Sequence, residues 1–159
     1  MVTRFVVAAV LAVALVAASM PAVESARIDR TAVHLDGELT NIVDAARDLP
    51  QTEDTVDDSS LAARRVVAVS VPERSLTSAP IDYVELDGRG PTTSASLSYR
   101  LTGHEETTYR FTRISLSTPD GPVRLSTAGI HRLSLALVDR GGRPVVTLRR
   151  LDLGREESG

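Results

Sequence analysis

Three histidines, a cluster of acids after residue 52 and one glycine-rich turn are the groups of this chain that could do chemistry. His34 and Glu38 stand four residues apart, so on a helix they share a face. Two ligands do not hold a metal ion, which takes three or four, and no third is within sequence reach. His34 therefore reads as a solvated helix residue. His104 sits beside Glu105 and Glu106, where a polar hairpin tip is expected, and His131 falls opposite or beside a leucine row, at a strand edge. Glu53, Asp54, Asp57 and Asp58 lack both the spacing and the turn glycine of a calcium loop, which leaves a plain solvated loop.

Asp87-Gly88-Arg89-Gly90 has neither the lysine nor the strand–loop–helix setting of a phosphate cradle, so a hairpin turn is the reading. Serines are abundant, but no G-x-S-x-G elbow is present. There is no cysteine, hence no disulfide framework and no thiolate chemistry. Asn41, the only asparagine, is followed by Ile-Val and is no glycosylation acceptor. The expectation is a protein with no catalytic residue, no metal ligand and no cofactor, and not an enzyme. A small hydrolase survives only because a β domain can host a site that spacing does not reveal.

All 18 basic residues are arginine, set against 21 acids for a net charge of -3. The arginines are dispersed among acids, which excludes the basic footprint of a nucleic-acid binder. A chain without lysine fits an arginine-favouring, GC-rich genome and is compatible with a halophile. With two Phe, three Tyr and no Trp, its core must be built from Val, Leu, Ile and Ala.

These residues need elements to hold them, and the chain divides into five parts. Residues 1–23 are an N-terminal membrane anchor or a signal peptide. After Arg4, the stretch Phe5–Val23 (FVVAAVLAVALVAASMPAV) carries no charge. As a helix it is about 28 Å long, close to the roughly 30 Å of a bilayer's hydrocarbon core. Ala17-Ala18-Ser19 and Val23-Glu24-Ser25 both offer small residues for signal-peptide cleavage. In residues 24–49 the apolar positions Ile28, Ala32, Leu35, Leu39, Ile42, Ala46 and Leu49 follow steps of four and three. That is an amphipathic helix with a packing seam, which requires a partner: the chain's own β head, a second copy, or other helices. The same rhythm extends back in phase into the apolar run. Pro50 is predicted to end the helix.

Residues 50–60 read as an acidic linker and 61–152 as an antiparallel β domain, with a disordered tail at 153–159. Seven strand signals occupy Ala63–Val71, Ile81–Leu86, Ser96–Leu101, Thr107–Ser117, Val123–Ser126, Ile130–Val138 and Pro144–Leu151. Within Thr107–Ser117 the alternation changes phase near Thr112-Arg113, which suggests a bulge or a strand covered on both sides. The fold class is α+β: a long N-terminal helix, transmembrane plus amphipathic extension, then an antiparallel head, a sandwich or small barrel.

The order of parts (a short basic leader, an apolar helix, a proline near its end, an amphipathic continuation, a β-rich head) resembles the type IV pilin and pseudopilin class. The span ALVAASMPAVESARIDR is similar in rhythm to the end of such a helix. The resemblance implies an anchor helix that packs with others in filaments or secretion pistons, and processing between Arg4 and Phe5. Ala9 stands where bacterial pilins carry a glutamate, and no glycine precedes Phe5. The Arg-only, Ala/Val-rich make-up also resembles small membrane-anchored proteins of halophilic archaea. The expectation is a single-pass cell-membrane protein with its C-terminal domain extracytoplasmic, since Arg4 and the terminal amine favour a cytoplasmic N-terminus. It would have helix–helix partners or self-associate in a pilin-like or secretion-associated complex. The alternative is a secreted β-rich binding module freed by signal-peptide cleavage, its ligand unspecified.

Overall fold

The computed structural model describes residues 2–56, 62–90, 94–112 and 114–151. One helix, α1 (Val2–Thr52), is followed by eight strands: β1 (Arg64–Val71), β2 (Ile81–Asp87), β3 (Ala95–Leu101), β4 (Glu106–Phe111), β5 (Leu116–Ser117), β6 (Val123–Leu125), β7 (Gly129–Asp139) and β8 (Pro144–Leu151). The α+β class with a long helix and a β head is therefore the observed one.

The helix runs through both of its prolines. Pro50 does not end it. A proline this close to the C-terminus forfeits only the bond to the Ala46 carbonyl, and side chains serve the next carbonyls. Gln51 Nε2 donates to the Arg47 oxygen at 3.1 Å and Thr52 Oγ1 to the Asp48 oxygen at 3.1 Å. The Glu53 amide then closes on the Leu49 oxygen at 3.1 Å. The expected 50–60 linker thus loses its first residues to the helix. Its Val56 is also tied down, because the Asp139 amide donates to the Val56 oxygen at 3.0 Å. The rest of that segment, 57–60, and the expected tail, 153–159, lie outside the described residues.

The strands form two four-stranded sheets, β1-β7-β8-β5 and β4-β3-β2-β6, stacked as a sandwich. Alternation sets the inner faces, since opposite residues in a ladder point the same way. Leu133, Leu135 and Leu137 of β7 meet Val84, Leu86, Leu97 and Leu125 of the other sheet in one cluster. Every strand pairing is antiparallel except that of β5 with β8, which is parallel.

That exception corrects the reading of Thr107–Ser117 as one strand. The chain leaves the second sheet after Phe111 and joins the first at Leu116. The phase change marks a crossing between sheets, after which Ile114 and Leu116 face the core from the other side. Asp87-Gly88-Arg89-Gly90 is likewise more than a hairpin turn. The Thr118 amide donates to the Gly88 oxygen at 2.8 Å and the Gly90 amide to the Leu116 oxygen at 3.0 Å, stitching β2 to β5 across the sandwich. A Cβ on Gly88 would lie 2.6 Å from the Leu116 oxygen, so only glycine permits this approach.

On the opposite side the terminal strands β1 and β4 leave the sandwich open, and α1 fills the gap. It runs antiparallel to β1, with His34 beside Ser70 and Asp48 beside Arg65. Its Ile42, Val43 and Ala46 meet Leu86, Ala95 and Phe111 of the second sheet around a void of about 10 Å³. The helix is thus a wall of the head rather than a stalk joined to it, and the division into a 24–49 helix and a separate 61–152 domain gives way to one packed unit. It also lies along β1, a terminal strand whose edge would otherwise invite pairing with another chain.

Candidate functional surface: the exposed half of the helix

Every side chain from Arg4 to Ala26 is exposed, Phe5 included. From residue 27 the pattern changes. Leu35, Leu39, Ile42, Ala46 and Leu49 are buried, with Ile28 and Ala32 partly buried at the upper end. Of the three partners open to the seam, the chain's own head takes it. Each fully buried leucine or isoleucine there is worth roughly 1.5–3 kcal/mol over exposure. The rhythm that extends back to Leu11 and Ala14 has no counterpart within the chain, and those residues face outward. This half of the helix is long and apolar enough to cross a membrane.

The change falls where the β1–β2 loop docks. Arg27 Nη2 donates to the Ser78 oxygen at 3.1 Å, and the Ala79 amide donates to Thr31 Oγ1 at 2.8 Å in a buried bond. Thr31 Oγ1 in turn donates to the Arg27 oxygen at 2.9 Å, and Arg27 also binds Glu24 at 2.8 Å. The Thr102 amide reaches the Pro80 oxygen at 2.9 Å, fastening the same loop to the β3–β4 hairpin. Sequence spacing could not reveal these contacts, which join residues about fifty positions apart. The one available hint was Leu76, a lone large apolar residue in the polar stretch PERSLTSAP.

Deeper in, Asp36 on the helix faces Tyr99 and Tyr109, whose ring centroids lie 6.4 Å apart. Burial and the neighbouring Asp36 carboxylate raise both phenols above their ordinary value. On the outer face of the second sheet, the Tyr83 ring lies 3.8 Å from the Arg124 guanidinium and 5.5 Å from that of Arg100. Its hydroxyl donates to Glu106 at 2.9 Å, a bond that lowers the carboxyl's pKa and raises the phenol's. The Tyr83 group is a cross-strand brace, whereas Asp36 keeps one buried oxygen, Oδ1, without a hydrogen-bond partner among the described residues.

His34 is exposed, 3.8 Å from Glu38 and 3.2 Å from the Ser70 oxygen. His104 is exposed at the hairpin tip. His131 departs from the expected strand edge: it is buried on the leucine row of the internal strand β7, with Nε2 2.7 Å from the Thr127 oxygen. Glu53 and Asp54 are exposed, while Asp57 and Asp58 lie outside the described residues. Among the described residues no group of three or more His, Asp or Glu could hold a metal ion. A concavity of about 230 Å³ on the outer face of the first sheet is lined by Ser134, Thr147 and several arginines, of which Arg149 is engaged by Asp120 at 3.1 Å.

Fold and surface together define a β sandwich walled on one side by its own N-terminal helix, with the first half of that helix left as a bare apolar arm. The chain belongs to the family described as Domain of unknown function (DUF7311), whose model matches residues 2–151, arm and head together. No curated protein and no solved structure matches it.

Proposed function

We propose that this protein is a single-pass, membrane-anchored structural subunit of the pilin-like kind, non-enzymatic, with its β head displayed outside the cell. The observation that carries the reading is one uninterrupted helix of two characters. Its uncharged Phe5–Val23 half is exposed on all sides and matches a bilayer in length, while its second half is built into the head. The family's matched domain includes the arm, which supports its retention. Because the seam is occupied by the head, partner helices would meet this chain through the arm. Its alanines at 8, 9, 12 and 14 let helix backbones approach closely within a membrane. Processing before Phe5 leaves that arm intact.

A second reading rests on a specific observation as well. Nothing from Arg4 to Ala26 enters the core, so cleavage after Ser25 would release a complete head as a secreted binding module. The mature N-terminus, measured by intact mass on membrane and medium fractions of the native host, separates the two. A membrane-bound chain starting at Met1 or Phe5 is expected, and a Phe5 start would add pilin-type processing. A chain free in the medium and starting near Met20 or Ala26 would overturn the anchored reading.

A further inference from the structure

Leu76 is the most exposed large apolar side chain among the described residues, at 90%. It is not on a slack loop. Ser75 and Ser78 close the turn around it through an amide–carbonyl bond of 3.2 Å, and the Thr77 amide donates to Ser75 Oγ at 3.1 Å. The bonds from Arg27 and Thr31 to Ser78 and Ala79 then fix this turn to the helix. Leu76 is therefore held outward, its side chain left almost wholly exposed.

Its level along the helix is informative. Leu76 and Thr77 wall a shallow notch of about 210 Å³ together with Val23, Ala26, Arg27 and Arg30. Val23 is the last residue of the uncharged stretch, so the leucine stands level with the end of the arm. The charges around it are mixed: Arg27 is paired with Glu24, while Arg30 and Arg74 have Asp29 and Glu73 next to them in sequence. A surface of this kind suits the boundary between headgroups and acyl chains, where an apolar side chain can enter and arginines can reach the headgroups.

We infer that the β1–β2 loop is a second membrane contact. Leu76 inserts into the lipid interface beside the emerging helix and holds the head upright on the bilayer. The occupant is the lipid surface itself, and zwitterionic lipid suffices because the local charges balance. This inference rests on the anchored reading above, since without a bilayer around the arm there is no interface at the level of Leu76.

The absence of cysteine allows single-cysteine reporters in the full chain. Leu11→Cys, Leu76→Cys and Ile130→Cys, each carrying a polarity-sensitive fluorophore, would be reconstituted in phosphatidylcholine nanodiscs. All three side chains are exposed. Ile130 pairs with Ser70, which lies beside His34, eight helical residues or about 12 Å above Ala26. The expected result is a Leu11 label quenched by deep acyl-chain quenchers and a Leu76 label quenched several-fold more by shallow lipid quenchers than by aqueous iodide. The Ile130 label should be open to iodide. A Leu76 label as open to iodide as that at Ile130, with Leu11 in lipid, would overturn the contact and leave the anchor standing. Labels at Leu76 and Ile130 both in lipid would overturn the upright head, and a Leu11 label in water would overturn both anchor and contact.

Discussion

Residues 5–23 and 28–49 are stretches of one helix, of similar length and both rich in aliphatic residues, yet they meet opposite surroundings. The second keeps its apolar residues to a stripe, Ile28 to Leu49, with Asp29, Arg30, Asp44, Arg47 and Asp48 on the other faces, and the stripe is buried by β strands. The first is apolar all round and exposed along its whole length. A protein domain buries a stripe, whereas a helix that is apolar on every side needs an apolar medium on every side. The comparison teaches that the arrangement of apolar residues, more than their number, decides which half belongs to the core.

Truncation gives the largest contrast. A chain lacking residues 1–26 should keep a cooperative thermal transition in circular dichroism and lose its membrane association. A chain lacking residues 1–49 should lose the transition altogether, with the gap between β1 and β4 left open to dye binding. Failure of the shorter deletion to fold would break the comparison. One step smaller, Leu39→Ala should cost about 2–5 kcal/mol in denaturant unfolding of the full chain in detergent. Leu15→Ala, in the arm, should stay within about 0.5 kcal/mol.

Thr31→Val tests the border between the halves. It removes the acceptor of the buried Ala79 amide, and a loss of about 1–3 kcal/mol is expected by the same denaturant assay. The tyrosines facing the helix report on the docked half without a mutation. Tyr99 and Tyr109 have raised pKa values in the folded state, so the stability they contribute is complete below the unfolded value of about 10 and drains away as pH rises through the higher folded value. Phenolate absorbance should accordingly rise later in the folded protein than in denaturant. Simultaneous titration in both would mean that the helix is not seated against β3 and β4. The smallest effect should come from Gly37→Ala. Gly37 is exposed on the docked half with open space around its Cα, and alanine there should raise stability by about 0.5–1 kcal/mol in the melt.

Much of this architecture is legible in the residues. The four-and-three spacing from Ile28 to Leu49 marks the buried stripe because helical geometry is local and periodic. The strands from Arg64–Val71 to Pro144–Leu151 show themselves by alternation and by the turns between them. What spacing conceals is long-range. A change of phase between Phe111 and Leu116 looks the same for a bulge as for a crossing between sheets, since both turn side chains over. His131 reads as an edge residue until the turn at Thr127 folds back to meet its ring. The arm announces itself by composition, but the docking of Ser78 and Ala79 on Arg27 and Thr31 depends on how the sandwich folds around the helix. The exposed position of Leu76 depends on that docking.

Because the helix that enters the head as its wall is covalently continuous with the arm, a pull on the arm is felt inside the core. Tension along the helix axis, parallel to β1, loads the interlocked rows of Leu35, Leu39, Ile42 and Leu49 in shear, so that many contacts must yield together. A head tethered by a flexible linker would swing under load. Here tether and wall are one helix that runs on through Pro21, so a load on the arm is led into the sandwich rather than into a loop.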